Sequence, residues 1–181
     1  AEFGDVDNDG RADLFIAKGN VDQMPGMATR DPNNLLMQQP SGVFVEAAAK
    51  AGVATMARAR GAALADFDGD GRLDLVVMNR RAPMELYRNV TPDTGNWVKI
   101  KLAQTGGNRN AVGARVDVVV GDTRQSMQKL VGGGHAGGQA VPLHFGLGQG
   151  VGAQVVVRWP DGTLTAQAVK AGQTVTIRHE N

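Results

Sequence analysis

The sequence predicts an all-β fold, and three observations support this prediction. The chain of 181 residues contains 25 glycines, a content typical of a protein with many tight turns. Its apolar residues occur in short runs, several of which alternate strictly with polar residues, as they do in half-buried strands. In the second half of the chain, turn signals separate these runs roughly every 8–12 residues, which is typical of antiparallel β proteins.

Two acidic segments form an internal repeat in the first half. Asp5–Asp13 and Asp66–Asp74 match at an offset of 61 residues (66 minus 5). A period near 60 residues fits one four-stranded blade of a β-propeller. Each segment runs into a short apolar stretch, Leu14–Ala17 or Leu75–Met78, which we predict to be a strand. We therefore expect partial β-propeller blades in this half.

The remaining elements of the first half follow the same pattern. Ala47–Ala51 predicts one helical turn ended by Gly52. Gly19–Asn33 contains the proline, glycine and asparagine residues of a longer loop. Residues 1–90 should hold about one and a half blades, a fragment of a larger propeller. The further predicted strands are Leu35–Gln38, Val43–Glu46, Ala62–Ala65 and Glu85–Asn89.

The turn-rich stretch Val90–Asn96 is the predicted boundary between residues 1–90 and a second domain, residues 91–181. After it the alternation becomes regular, with lysines on one face of the first strand. This pattern predicts a small antiparallel β-sandwich or barrel. Its predicted strands are Trp97–Leu102, Ala114–Val120, Arg124–Val131, Val141–Phe145, Val155–Trp159, Thr163–Val169 and Thr174–Arg178.

The two acidic segments have the spacing of calcium-binding loops. Aspartates at positions one, three and five aim three short carboxylates at one point, and a glycine at position six permits the sharp turn. Position seven offers a backbone carbonyl, and an aspartate at position nine closes the shell. We therefore predict two Ca²⁺ sites. The predicted ligands are Asp5, Asp7, Asp9, Arg11 and Asp13 in the first loop, and Asp66, Asp68, Asp70, Arg72 and Asp74 in the second.

These loops have three alternative interpretations. An EF-hand requires a glutamate at position twelve, where this chain has Ile16 or Val77 inside a predicted strand. Asp66 and Asp68 also have the Asp-x-Asp spacing of aspartyl nucleophiles in phosphoryl transfer, but Asp70 stands where those enzymes have threonine or valine. An acidic turn hydrated without a metal is the third, but the full pattern occurs twice, which favours calcium.

The loops with their flanks, most clearly Arg60–Leu75, resemble the FG-GAP/VCBS repeats of integrin-type β-propellers. This resemblance covers residues 1–90. It implies that calcium braces the propeller loops while other loops bind partners. It also implies a secreted, periplasmic or cell-surface protein.

The second half resembles the ASPIC/UnbV domain over about residues 96–181. One stretch departs from the family pattern, because His135–Gln139 replaces the usual tyrosine or Ser-Gln after the glycines. The resemblance implies no catalytic residues. The motifs that carry it are Asn110–Val116, His144–Gly148 and Val157–Gly162.

Charge and composition narrow the classes of partner. Eight of the 14 aspartates lie in the two loops, whereas the rest of the chain carries 17 Lys and Arg residues against 10 Asp and Glu residues. The local negative charge favours a cation, while the scattered basic residues do not favour nucleic acid. The absence of cysteine excludes disulfides and thiolate metal sites. No apolar run approaches the ~20 residues needed to insert into a membrane.

We expect a non-catalytic, calcium-binding extracytoplasmic module for adhesion or for binding a protein or other ligand, with no catalytic or cofactor-binding residues. The alternative is a lectin-like, glycan-binding module in which Trp97 or Trp159 stacks on a sugar. A hydrolase accessory domain is a third hypothesis. His135 is a further candidate for a binding surface. The partner would be an extracellular protein or glycan, and open sheet edges provide a route to self-association.

Overall fold

The computed structural model describes residues 1–19, 31–133, 137–138 and 140–179. Within these residues the chain is almost entirely β, with one short helix, so the predicted all-β class is confirmed. Two compact units are present. The first comprises Ala1–Val6, Arg11–Val90 and Gly133–Gly138, and the second comprises Asp7–Gly10, Thr91–Gly132 and Gln139–Asn181. The tip of the first acidic loop, Asp7–Gly10, is thus part of the second unit.

The first unit begins with an antiparallel sheet in the order β1-β2-β3-β4. Gly4 at the end of β1 lies opposite Asp13 at the start of β2, so the first acidic loop is the connection of a hairpin. Phe15 of β2 is fully buried, whereas all of β4 is exposed. The strands are β1 (Glu2–Gly4), β2 (Asp13–Ile16), β3 (Asn34–Gln38) and β4 (Phe44–Glu46).

The same hairpin arrangement recurs in the second sheet of this unit. Helix α1 (Ala48–Ala51) precedes it and ends at Gly52, whose φ of 75° gives the left-handed cap that the sequence predicts. The sheet order is β5-β6-β7, and Ala65 pairs with Asp74 across the second acidic loop. The strands are β5 (Ala59–Ala65), β6 (Asp74–Asn79) and β7 (Glu85–Tyr87).

One apolar cluster joins these elements of the first unit. Alternate residues of β6 point into it, because successive side chains of a strand face opposite ways. These open sheets and their repeat fit partial propeller blades. The buried members are Phe15, Ala48, Val53, Ala59, Leu64, Leu73, Leu75 and Val77.

The second unit contains two larger sheets, in the orders β10-β9-β14-β15 and β13-β8-β16. The chain also contains a short two-stranded pair, β11 with β12, of which β12 belongs to the first unit. Within the described residues neither large sheet closes on itself, so the unit is a sandwich rather than a barrel. The strands are β8 (Asn96–Ala103), β9 (Arg115–Val120), β10 (Thr123–Gln128), β11 (Gly132–Gly133), β12 (Gly137–Gly138), β13 (Leu143–Gly148), β14 (Gly152–Arg158), β15 (Leu164–Lys170) and β16 (Gln173–Arg178).

One pairing differs from the antiparallel expectation. Strands β8 and β16 run parallel, with Val98 opposite Gln173 and Ile100 opposite Val175. The alternation of apolar residues specifies which face of a strand is buried, but it carries no information on the direction of the neighbouring strand. The sandwich is therefore mixed at this one edge and antiparallel at its other strand pairs.

The core of the sandwich draws apolar side chains from both sheets. Val116 and Val118 of β9 are fully buried in it, and Trp159 is 2% exposed. The indole Nε1 of Trp159 donates to Oγ1 of Thr165 at 2.8 Å, which satisfies its one polar atom. The other buried members are Val98, Ile100, Leu102, Ala111, Ala114, Phe145, Leu147, Val155, Val157, Val169 and Ile177.

Element boundaries differ from the sequence expectations by a few residues. The strand predicted to end at Val131 ends at Gln128, and the strand predicted to end at Asn89 ends at Tyr87. The backbone amide of Asn89 instead donates to the side chain of Asp74. Most of the predicted loop Gly19–Asn33, and His135, lie outside the described residues. No helix in the described part of the chain is long and apolar enough to cross a membrane.

Candidate calcium-binding loops

The two acidic loops bring their predicted carboxylates together. In the first loop, oxygen atoms of Asp5, Asp7 and Asp13 all lie within 4.8 Å of one another. In the second loop the same holds for Asp66, Asp68 and Asp74. Two ligands on opposite sides of one Ca²⁺ ion are about 4.6–5.2 Å apart, since each Ca–O bond is about 2.3–2.6 Å. The donor chemistry and the spacing of both clusters therefore fit one Ca²⁺ each.

The aspartate at position nine of each loop also braces its hairpin. Asp13 accepts hydrogen bonds from the backbone amides of Val6 and Gln38, at 3.0 and 2.9 Å. Both position-nine carboxylates are buried. Each ties the start of the loop to the end of a neighbouring strand, which keeps the loop folded back on itself.

Asp74 makes the equivalent contacts in the second loop. It accepts hydrogen bonds from the amides of Phe67 and Asn89, at 3.0 and 2.8 Å. The Asn89 side chain donates in turn to the carbonyls of Val6 and Leu73. No local sequence pattern connects Asn89 with the loop, because Asn89 lies 15 residues from Asp74 in the chain.

The turn at position six is left-handed in both loops, as the calcium-loop spacing predicts. Gly10 has a φ of 93° and Gly71 a φ of 88°, values that residues with a Cβ atom rarely adopt. In the second loop, Asp66 accepts hydrogen bonds from the amides of Gly69 and Gly71 at 2.7 and 2.9 Å. The loop conformation thus turns two backbone amides toward the first carboxylate.

The aspartates at position five stand apart from the two carboxylate clusters. Neither Asp9 nor Asp70 belongs to the convergent groups found in the described residues. Asp70 forms an ion pair with Arg72, with 2.5 Å between Nη2 and Oδ2. This hydrogen bond lowers the pKa of Asp70 to about 2, so the carboxylate stays ionised at neutral pH. The carbonyl roles predicted for Arg11 and Arg72 stay predictions.

Arg88 is a cation at the second loop that no sequence pattern predicts there. Its Nε lies 2.6 Å from Oδ2 of Asp68, and its Nη2 lies 3.4 Å from Oδ2 of Asp70. Arg88 follows strand β7, so its position depends on the pairing of β7 with β6. The second cluster is therefore partly neutralised by the protein itself.

The loops differ most at position four. Asn8 of the first loop is fully buried with a φ of 59°, whereas Gly69 of the second loop is exposed with a φ of 82°. The side-chain carbonyl of Asn8 accepts a hydrogen bond from Nε2 of His144 at 2.7 Å, and His144 is itself buried. The only sequence signal for this difference is that asparagine replaces glycine at a left-handed position.

The tryptophans give little support to a sugar platform. Trp159 is buried in the core. Trp97 is partly buried, with the Lys99 ammonium 4.8 Å from its ring centroid and the His144 ring stacked at 6.2 Å. Stacking on a sugar needs an exposed indole face, whereas Trp159 is buried and the Trp97 ring already contacts Lys99 and His144.

A cluster of Thr163, His179 and Asp161 lacks the arrangement of a catalytic triad. Nε2 of His179 lies 2.8 Å from Oγ1 of Thr163 and 3.2 Å from Oδ2 of Asp161. A triad needs the acid on the ring nitrogen opposite the nucleophile, whereas here both partners share one nitrogen. The Thr163 hydroxyl also donates to Asp161. The cluster therefore stabilises the turn before β15.

Comparisons with known proteins support both sequence resemblances. The chain is 26% identical to human cartilage acidic protein 1 over 177 residues, which is 96% of this chain and 26% of that protein. It is 28% identical to the mouse protein and 29% identical to the Xenopus tropicalis protein of the same name, each over 124 residues. Those matches cover 66% of this chain and 19% of each relative.

The chain thus spans about a quarter of the length of the human relative. Two family models match separate parts of it, in the order that the sequence motifs indicate. Residues 5–77 match the FG-GAP-like repeat, and residues 104–181 match the ASPIC and UnbV family. The chain therefore carries an FG-GAP-like repeat that contains both acidic loops, followed by an ASPIC/UnbV domain.

Proposed function

We propose that this chain is a non-catalytic, calcium-binding module that acts outside the cytoplasm in adhesion or in binding a protein or other ligand. The observation that carries the proposal is the convergence of three carboxylates in each of two repeated hairpin loops. Carboxylate oxygens are the ligands that Ca²⁺ prefers, and three of them in one small volume repel one another without a cation.

The role of calcium in this proposal is structural. Each cluster uses the position-nine aspartate, which already ties the loop to a neighbouring strand. A bound ion would cross-link that aspartate to positions one and three and so hold the hairpin closed. Asp5, Asp7 and Asp13 would hold one ion, and Asp66, Asp68 and Asp74 the other.

The matched families support the proposed location. The FG-GAP-like repeat, the ASPIC/UnbV domain and the similarity to cartilage acidic protein 1 indicate an extracellular module. Free calcium outside cells is near the millimolar range in which extracellular modules bind it. We propose secretion, the periplasm or the cell surface as the site of action, and an extracellular protein or glycan as the partner.

Calorimetric titration of the chelator-treated chain with CaCl₂ tests the proposal. We expect two binding events with Kd values between about 1 µM and 1 mM, together with a rise in Tm on adding calcium. At a Kd of about 0.1 mM and about 1 mM free calcium, each site adds about 1.4 kcal/mol to the free energy of unfolding. A titration without heat and a Tm unaffected by calcium would contradict the proposal.

A further inference from the structure

Asn8 directly follows Asp7, a candidate calcium ligand of the first loop, and it is held by residues far away in the chain. Its side-chain carbonyl accepts a hydrogen bond from Nε2 of His144 at 2.7 Å. Both residues are buried and both belong to the second compact unit. This buried hydrogen bond restricts the conformation of the loop tip, because breaking it would leave a buried donor and a buried acceptor without a partner, protein or water.

The backbone on either side of the Asn8 side chain is held as well. The carbonyl of Asn8 accepts a hydrogen bond from the amide of Gly148 at 2.9 Å, and the carbonyl of Asp7 accepts one from the amide of Gly95 at 2.9 Å. A Cβ atom at Gly95 would lie 2.1 Å from the Asn8 carbonyl oxygen, so the two backbones are in direct contact. The loop tip is thus fixed at three points.

The second loop provides an internal comparison. Its position four is Gly69, which has the same backbone handedness but is exposed, and a Cβ built there meets no atom within 4 Å. Both loops therefore need a left-handed residue at this position. Only in the first loop does this residue carry a side chain, and that side chain contacts a buried partner. The asparagine at position four is therefore not required for the turn itself.

We infer that Asn8 and His144 are positioning residues for the first calcium site: their hydrogen bond holds the loop tip in its binding conformation and raises the calcium affinity of that site. The inference rests on the proposed calcium binding. A ligand set that is fixed before binding loses less conformational freedom when the ion arrives. The His-Phe-Gly-Leu-Gly motif of the ASPIC/UnbV domain thereby contributes to a loop of the FG-GAP-like repeat.

The test uses the full chain with the second site disabled by Asp68→Ala, so that calorimetry reads the first site alone. In that background we compare Asn8→Gly, which keeps the left-handed backbone accessible, with His144→Leu and with the double variant. Each single substitution should weaken calcium binding by about five- to tenfold, the effect of one buried hydrogen bond. The double variant should weaken it no further than either single one, because both remove the same interaction.

A matched control places the same residue in the other loop. Gly69→Asn, in the wild-type background, supplies an asparagine at position four where no histidine is present, and it should leave the affinity of the second site unchanged. His144→Gln, which retains a side-chain amide donor, should recover part of the affinity that His144→Leu loses. Tm in chelator is recorded for every variant, so that loss of folding is separated from loss of binding.

The outcomes separate this inference from the proposed function. If Asn8→Gly and His144→Leu lower Tm in chelator but leave the Kd of the first site unchanged, the pair is structural only and the inference is wrong. Additive losses in the double variant would also overturn it. If the wild-type chain binds no calcium, the proposed function itself fails.

Discussion

Arg88 forms an ion pair with Asp68, with 2.6 Å between Nε and Oδ2. Because Asp68 is also a predicted calcium ligand, a bound ion must compete with this arginine. An exposed ion pair contributes up to about 1 kcal/mol. Arg88→Gln should therefore raise the calcium affinity of the second site by up to about fivefold, measured by calorimetry with the first site disabled by Asp7→Ala. An unchanged or lower affinity would show that Arg88 does not compete with the ion.

Asp68→Ala and Asp74→Asn should separate binding from folding at the second loop. Asp68 is exposed and its ion pair with Arg88 contributes up to about 1 kcal/mol, so Asp68→Ala should lower Tm in chelator by at most about 2–4 °C. The same substitution should abolish the calcium-induced rise in Tm from this site, about 3–6 °C. Asp74 accepts hydrogen bonds from two backbone amides, so Asp74→Asn should lower the free energy of unfolding by about 1–3 kcal/mol even in chelator. Thermal melts with calcium and with chelator measure both effects. Equal losses of Tm in chelator would mean that Asp68 is structural too.

Asp117 should make the second unit sensitive to acid. Burial by itself raises the pKa of Asp117, but hydrogen bonds from Arg124, Ser126 and Arg115 outweigh it and lower the pKa. A carboxyl with a lowered pKa adds stability above its unfolded value of about 3.9, and this stability is lost as pH falls through the folded pKa. Asp117→Asn should therefore lower the free energy of unfolding by about 1–3 kcal/mol at pH 7 and by less at pH 3.

Urea unfolding at the two pH values measures this effect. Asp122→Asn, in the exposed turn after β9, is the matched control and should change stability little at either pH. The same loss for Asp117→Asn at pH 7 and at pH 3 would contradict the charge argument and indicate that packing alone is affected.

The edge strand β4 should promote self-association. It is the last strand of its sheet in the described residues, and Val43, Phe44 and Val45 are 61%, 39% and 50% exposed. An exposed apolar edge offers unpaired backbone groups to another chain, and a lysine there prevents such pairing. We expect the wild-type chain to associate with rising concentration in sedimentation experiments and Val45→Lys to shift it toward monomer. Gln154→Lys is the control, since β14 is paired on both sides and offers no open edge. If both lysine variants shift the chain toward monomer equally, the effect is due to net charge and not to the edge strand.

Much of this protein can be predicted from its sequence, because the information is local. Aspartates at alternating positions and a glycine at position six specify a tight turn wherever they occur, and Gly10 and Gly71 adopt the left-handed conformation that this turn needs. Alternation of apolar residues likewise identified the strands of the sandwich, since a period of two specifies a buried face without knowledge of the partner. The acidic loops, the all-β class and the order of the two family resemblances all followed from such patterns.

Only the tertiary structure decided the contacts between residues distant in the chain. The parallel pairing of β8 with β16, the approach of Arg88 to Asp68, and the burial of Asn8 against His144 each join segments that no local pattern relates. These contacts depend on which strands become neighbours, and that choice is made by the packing of whole sheets around a shared core. Two loops with nearly the same sequence therefore acquire different surroundings: Asn8 of one is buried against His144, and Asp68 of the other lies beside the exposed Arg88.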